Sequence, residues 1–139
     1  MSRISPEDFD TFFEALHGHQ PYSWQRRLAQ RAVAGKWPAA IDLPTGSGKT
    51  ACIDVAIFAL ACQAGRSPDQ RNAPRRIFFC VNRRLIVNEA FERTRRIAKA
   101  LWDAEQVDAS GPAVLRDAAA ALRTIAGSLG ERRSVPLDV

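Results

Sequence analysis

Hydrophobic residues recur with a helical period in the first part of the chain. Ser5 and Pro6 precede apolar positions spaced three or four residues apart as far as Leu16. A serine cap followed by proline in the first turn is typical of a helix start, so this stretch predicts a helix that packs by one face. Ser23 is predicted to cap a second amphipathic helix, which runs to about Ala34 and stops at Gly35.

Three further helices are predicted downstream. The run from Ala51 to Cys62 is apolar nearly all round, which is typical of a helix buried against a sheet. Between Asn82 and Leu101 the apolar residues fall on one face of a longer helix. Gly111 and the proline after it open a last helix, whose apolar side continues to about Leu129.

Short apolar runs between these helices predict strands. They are Ala39–Leu43, Ile77–Val81 and, less strongly patterned, Val135–Val139. A strand, a helix of about a dozen residues and a second strand form a βαβ unit, which implies a parallel sheet. The sequence therefore predicts an α/β fold over residues 37–139, a parallel sheet flanked by helices, preceded by a helical segment over residues 1–36.

Leu43–Thr50 connects the first predicted strand to the apolar helix and reads as a phosphate-binding loop. Glycines at Gly46 and Gly48 allow positive φ, so successive N–H groups can form an anion-binding nest at a helix N-terminus. Lys49 would reach the β- and γ-phosphates, and the hydroxyl of Thr50 would bind Mg²⁺. The strict pattern has glycine where Leu43 stands, but the T-G-S-G-K-T core is intact. The alternative is a glycine-rich turn that binds nothing.

The predicted contacts extend beyond the lysine and threonine that would support catalysis. The residues expected to bind the nucleotide are Gln25, Thr45, Gly46, Ser47, Gly48, Lys49 and Thr50, with ATP and Mg²⁺ as the implied cofactors. The amide of Gln25 offers a donor and an acceptor that match N6 and N7 of adenine. Its alternative is an ordinary exposed glutamine on an amphipathic helix.

A basic pair, Arg83 and Arg84, follows the second predicted strand, at the edge where open α/β sheets bind ligands. We expect these arginines to contact the phosphates of nucleic acid, which a net charge of +5 permits but does not prove. The alternative is a solvated face of a helix.

Composition narrows the class of protein. With 139 residues and 46% hydrophobic residues, the chain can form one ordinary domain with a core. Its three cysteines form no C-x-x-C pair and lie in apolar elements, so we expect them to be buried and reduced, as in a cytoplasmic protein. No secretory signal or membrane span is visible. His17 and His19 flank a glycine, but no further histidine or cysteine completes a metal site.

Three stretches carry a resemblance to a known family: Trp24–Gln25, Asp42–Thr50 and Val81–Arg84. They resemble the Q motif, motif I and motif Ia in the first RecA-like domain of superfamily 2 helicases. The chain is most similar to the CRISPR-associated helicase of type I systems, of subtype I-U (I-G). The resemblance implies a partial RecA-like P-loop NTPase domain. It also implies ATP-dependent translocation on single-stranded DNA opened by the guide-RNA surveillance complex in antiviral defence.

Several parts of such a helicase are missing from this sequence. No acidic D-E-x-H or D-E-x-D motif is present, and Asp103–Gln106 has the wrong spacing. The arginine finger and the second RecA-like domain are also absent, although phosphoryl transfer depends on these groups acting together. The chain is therefore interpreted as an N-terminal fragment truncated before motif II, enzymatic only when full length. Alternatives are another superfamily 2 DNA translocase, of restriction or repair, or a non-catalytic nucleotide-binding module.

Overall fold

The computed structural model describes residues 3–106, 111–127, 136–137 and 139. Over these residues the chain forms five α-helices: α1 (Phe9–His17), α2 (Ser23–Val33), α3 (Cys52–Cys62), α4 (Arg84–Gln106) and α5 (Ala113–Gly127). Two short 3₁₀ turns, Pro6–Asp8 and Lys49–Ala51, directly precede α1 and α3. The five helices predicted from hydrophobic periodicity are therefore confirmed, with bounds that differ by a few residues.

Helix α3 lies at the centre of the fold. Its residues Ile53–Ala59 are all buried, and α1, α2 and α5 pack against it, while α4 packs on α5. The ring of Phe58 lies 5.2 Å from the rings of both Phe9 and Phe12, which anchor α1 to α3. The sequence of α3 is apolar on all sides because other helices surround it. Within the described residues, no helix is both long and apolar enough to cross a membrane.

The predicted parallel sheet is wrong, and with it the α/β fold class and the partial RecA-like domain. In the part of the chain that the structure describes, no residue belongs to a strand. Ala39–Leu43 and Ile77–Val81 lie outside regular secondary structure, and so do Pro136, Leu137 and Val139. The rest of the third predicted strand lies outside the described residues. The physical reason is that a strand exists only when a neighbour completes its hydrogen-bond ladder, and these segments do not pair.

A fully buried amide fixes the end of α3. The Nε2 atom of Gln63 donates to the carbonyl of Val33, at 2.9 Å, at the end of α2. Its Oε1 atom accepts from the backbone N–H groups of Asn72 and Ala73, at 3.0 and 2.9 Å. One side chain thus joins the ends of two helices to the connecting segment, and all of its buried polar atoms are satisfied.

The cysteines do not share the burial expected of them. Cys80 is exposed, so that expectation is wrong for this residue because Ile77–Val81 is not covered by a sheet. Cys52 and Cys62 are half-buried. Burial raises the pKa of the Cys52 thiol above its usual value and raises the pKa of Cys62 to about 12. These two thiols are therefore poor nucleophiles near neutral pH.

Candidate phosphate-binding site

The loop between Leu43 and Thr50 has the backbone conformation that its glycines predict. Gly46 has φ of 82° and Gly48 has φ of 77°, both in the left-handed region. A Cβ on Gly48 would lie 2.8 Å from Nε2 of Gln25, whereas a Cβ on Gly46 would meet nothing within 4 Å. Gly48 is therefore required both for its conformation and for close packing, and Gly46 faces open space.

The first turn of α2 holds two successive carbonyls of this loop. The indole Nε1 of Trp24 donates to the carbonyl of Ser47 at 2.9 Å. The amide Nε2 of Gln25 donates to the carbonyl of Gly48 at 3.1 Å. Because these donors come from neighbouring residues of one helix, α2 fixes the direction in which both peptide groups of the loop point.

Two more loop carbonyls accept hydrogen bonds from within the loop. The hydroxyl of Ser47 donates to the carbonyl of Pro44 at 2.7 Å, and the Nζ atom of Lys49 donates to the carbonyl of Leu43 at 2.7 Å. Together with the two bonds from α2, these contacts satisfy four carbonyls of the loop. The negative ends of these four peptide dipoles are therefore compensated by the protein itself.

Among the backbone N–H groups of the same loop, that of Ser47 donates to the carbonyl of Pro44 at 3.3 Å. Those of Gly46, Gly48, Lys49 and Thr50 have no acceptor among the residues that the structure describes. The last two begin the 3₁₀ turn that leads into α3, where the helix dipole adds partial positive charge. The loop therefore presents several unpaired donors next to a lysine, which is the arrangement that binds phosphate.

The structure places Gln25 in the interior, in contact with the loop. It is only 2% exposed, so it is not a solvated glutamine on a helix surface. Its Oε1 accepts from the backbone N–H of Tyr22 at 2.8 Å while its Nε2 holds Gly48. One N–H and one lone pair of the amide remain for a ligand. The structure thus shows a loop-holding role that the sequence did not reveal, and adenine recognition by Gln25 stays a prediction.

The two residues expected to meet the γ-phosphate and the metal are accessible. Lys49 is exposed, and Thr50 is half-buried with no partner for its hydroxyl among the described residues. Lys49 would exchange the carbonyl of Leu43 for a phosphate oxygen. No group of three or more histidine, cysteine or acidic side chains suited to a metal occurs in the described ranges.

A buried network of charged side chains around Asp54 was not predicted from the sequence. Asp54, fully buried in α3, accepts from Nε of Arg93 at 2.6 Å, and its Oδ1 lies 2.5 Å from Nε2 of His17. The guanidinium of Arg93 also lies 5.9 Å from the centre of the Phe13 ring. The network joins α1, α3 and α4. A single acid in an otherwise apolar helix was the signal, since such a residue is rarely buried without a partner.

Arg83 and Arg84 lie apart from this network, at the start of α4. Both are exposed, and the carbonyl of Arg83 accepts the N–H of Val87 at 3.3 Å, within the first turn. Their predicted position at the edge of a parallel sheet is wrong because the segment before them is not a strand. They remain a basic pair at a helix N-terminus, where the helix dipole also favours anions.

No family model, no curated protein and no solved structure matches this chain at a significant level. The chemistry of the loop and of its surroundings is therefore the basis for assigning a function.

Proposed function

We propose that Thr45–Thr50 binds the phosphates of a nucleoside triphosphate. The observation that supports this most strongly is the set of unpaired N–H groups beside Lys49, at the start of the turn that leads into α3. Four carbonyls of the loop accept hydrogen bonds from the side chains of Trp24, Gln25, Ser47 and Lys49. The N–H groups of Gly46, Gly48, Lys49 and Thr50 have no acceptor in the described part of the chain. Unpaired N–H groups at the start of a helix, with a lysine beside them, form a preorganised site for an anion.

Binding would use groups that are already in place. Phosphate oxygens would accept from the free N–H groups of Gly46, Gly48 and Lys49, at the positive end of the turn that begins α3. The Nζ atom of Lys49 would move from the carbonyl of Leu43 to the phosphates. The hydroxyl of Thr50 would help to hold Mg²⁺, whose charge would offset that of the phosphates.

Within this proposal, the wider function is that of the nucleotide-binding part of an ATP-dependent nucleic-acid helicase or translocase of CRISPR type I interference. It is supported by the resemblance of Trp24–Gln25 and Asp42–Thr50 to helicase motifs, and by the contacts that join these two stretches. Because the acidic motif that positions water is missing, we expect binding without turnover in this chain. DNA-stimulated hydrolysis near one per second, in the range of ordinary enzymes, would contradict that expectation.

Calorimetry with Mg²⁺–ATP and with tripolyphosphate tests the proposed site. Lys49→Ala should weaken the binding of both ligands by about 2–5 kcal/mol, because it removes a charged partner of desolvated phosphates. Lys36→Ala removes another exposed lysine and serves as the matched control, with affinity unchanged. Wild-type affinity in a folded Lys49→Ala variant would contradict the phosphate-binding assignment.

A second proposal assigns Arg83 and Arg84 to the backbone of single-stranded DNA. It is favoured by two exposed guanidinium groups at the N-terminus of α4. Replacing both by glutamine should reduce the salt dependence of oligonucleotide binding by about one to two units of slope. Arg95 and Arg96, farther along the same helix, provide the matched control pair. An unchanged salt slope in the first double variant would show that its arginines do not contact phosphates.

A further inference from the structure

A second site is indicated by residues Ile77-Phe78-Phe79-Cys80-Val81, called here the apolar strip. Phe78 is 82% exposed, while Ile77, Phe79 and Val81 are between 37% and 43% exposed. Exposure is higher at Phe78 than at either of its neighbours. Few proteins leave four large hydrophobic residues exposed together unless another molecule covers them.

The backbone of the apolar strip is as uncovered as its side chains. None of its five residues belongs to regular secondary structure, and none makes a backbone hydrogen bond to another described residue. Its composition, with aromatic and β-branched residues and no proline or glycine, is typical of a strand. Alternating free N–H and C=O groups along such a segment form a template for a further strand.

An apolar groove of about 490 Å³ is lined in part by Ile77, Phe78 and Phe79 of the apolar strip, and also by Leu137 and Val139. Ile53 and Ile57 of α3 form one part of its lining, and Val87 and Phe91 of α4 form another. A strand laid along the apolar strip would direct alternate side chains to one side, so apolar residues at every second position could enter this groove. The groove therefore favours an added segment with apolar residues at every second position. The backbone of the apolar strip favours a segment in an extended conformation.

Charge decides which polypeptide fits. Arg75 and Arg76 precede the apolar strip and Arg83 and Arg84 follow it, so both ends are basic. A second copy of this chain, paired in either direction, would bring arginines against arginines. Acidic residues at the ends of the added segment would instead meet opposite charges. A nucleic-acid strand could use the arginines, but it offers no ladder to the strip's backbone and no apolar side chains for the groove.

We propose that the apolar strip binds an extended segment of a partner polypeptide, with alternating apolar residues and acidic residues at both ends. The segment adds as a strand and inserts its apolar side chains into the groove. The site is independent of the triphosphate site, because it shares no residue with Thr45–Thr50. Arg83 and Arg84 would serve either anion, whereas Arg76 belongs to this proposal alone.

Fluorescence anisotropy with labelled peptides tests the proposal on the complete 139-residue chain. The first probe is a peptide of alternating valine and threonine with two acidic residues at each end. The second probe has lysines in place of the acids, and the third has a central proline that removes a donor N–H. At low salt we expect the acidic peptide to bind about tenfold more tightly than the lysine peptide. The proline peptide should bind at least severalfold more weakly than the acidic one.

Matched variants locate the binding. Phe78→Ser should lose most of the affinity for the acidic peptide, whereas Trp102→Ser, which removes an exposed aromatic of α4, should keep it. Arg76→Glu should weaken binding about five- to tenfold, and Arg96→Glu should not. A Lys49→Ala variant should bind the peptide normally, which separates this proposal from that of the triphosphate site.

Four outcomes would overturn the proposal. They are no peptide binding at millimolar concentration, equal affinity for the acidic and lysine peptides, a concentration-dependent dimer that forms through Phe78 and excludes peptide, and preferential binding of an oligothymidylate that depends on Phe78. Because Phe78 and Arg76 are both exposed, circular dichroism is expected to show each variant folded. The Arg76 pair of variants decides the question even if a change at Phe78 perturbs the fold.

Discussion

The loop Leu43–Thr50 and the apolar strip both precede a helix, but they differ in how their backbone groups are hydrogen-bonded. In the loop, the carbonyls of Leu43, Pro44, Ser47 and Gly48 are all held by the protein. In the apolar strip, neither donors nor acceptors are held within the described residues. The difference shows what each segment can bind. Unpaired N–H donors suit an anion. Alternating unpaired donors and acceptors, together with apolar side chains, suit another polypeptide.

The loop leads directly into α3, so its conformation depends on a stable α3. Replacing Asp54, whose buried network joins α3 to α1 and α4, tests this dependence. Asp54→Ala should lower the free energy of unfolding by about 3–5 kcal/mol, because it leaves the Arg93 charge without its partner in the interior. Asp103→Ala, which breaks an exposed pair with Lys99, should cost less than about 1 kcal/mol. Urea denaturation measures both, and equal effects would show that the network does not support α3.

Gln25→Ala tests the contact between α2 and the loop. The carbonyl of Gly48 and the N–H of Tyr22 would lose partners, so we expect nucleotide affinity to fall by about 1–3 kcal/mol. If the amide also reads adenine, the loss should be larger for ATP than for GTP, and that is the result we expect. Equal losses for the two nucleotides would refute adenine reading and leave Gln25 as a residue that positions the loop.

Gly48→Ala sharpens the comparison at the level of one carbon atom. The added methyl group would lie 2.8 Å from Nε2 of Gln25, in a residue whose φ of 77° already disfavours a side chain. Left-handed strain alone costs about 1–2 kcal/mol. Gly18→Ala is the matched control, because φ at Gly18 is 75° and the added methyl group would meet nothing within 4 Å. Only the first variant should lose phosphate binding. If both variants bound tripolyphosphate equally well, close packing at Gly48 would not matter.

The smallest effect on stability is expected in the apolar strip. Phe78→Ser should change the free energy of unfolding by no more than about 0.5 kcal/mol, since an exposed ring contributes little to a folded core. Thermal unfolding followed by circular dichroism measures the change. A loss of several kcal/mol would mean that the strip is part of the core in solution, and the comparison between the two segments would fail.

Helices and loop chemistry could be predicted from the sequence because both are local. Periodic apolar positions specify a helix such as α2, which begins at Ser23, one residue before the predicted start, because its cap is Tyr22 and not Ser23. The positive φ expected at Gly46 and Gly48 is present because glycine is the residue that adopts it without strain. The apolar helix predicted from Ala51 likewise begins at Cys52, directly after the 3₁₀ turn Lys49–Ala51.

The absence of a sheet could not be predicted from the sequence. An apolar run indicates that a segment is shielded from water, but it does not identify a segment with which it pairs. Ile77–Val81 has the composition of a strand but has no neighbouring strand among the described residues. The contacts of Trp24 with Ser47 and of His17 with Asp54 were also missed. They join residues 23 and 37 positions apart, and no local pattern specifies such distances.

Nuclear magnetic resonance of the backbone amides during titration with tripolyphosphate tests the central claim most directly. The ligand carries no base, so it reports on the phosphate contacts alone. We predict that the amide protons of Gly46, Gly48, Lys49 and Thr50 shift downfield together as they form charge-assisted hydrogen bonds, and that Gly18 does not shift. Shifts confined to the exposed arginines, with these four amides unchanged, would contradict the claim that the loop is a phosphate-binding site.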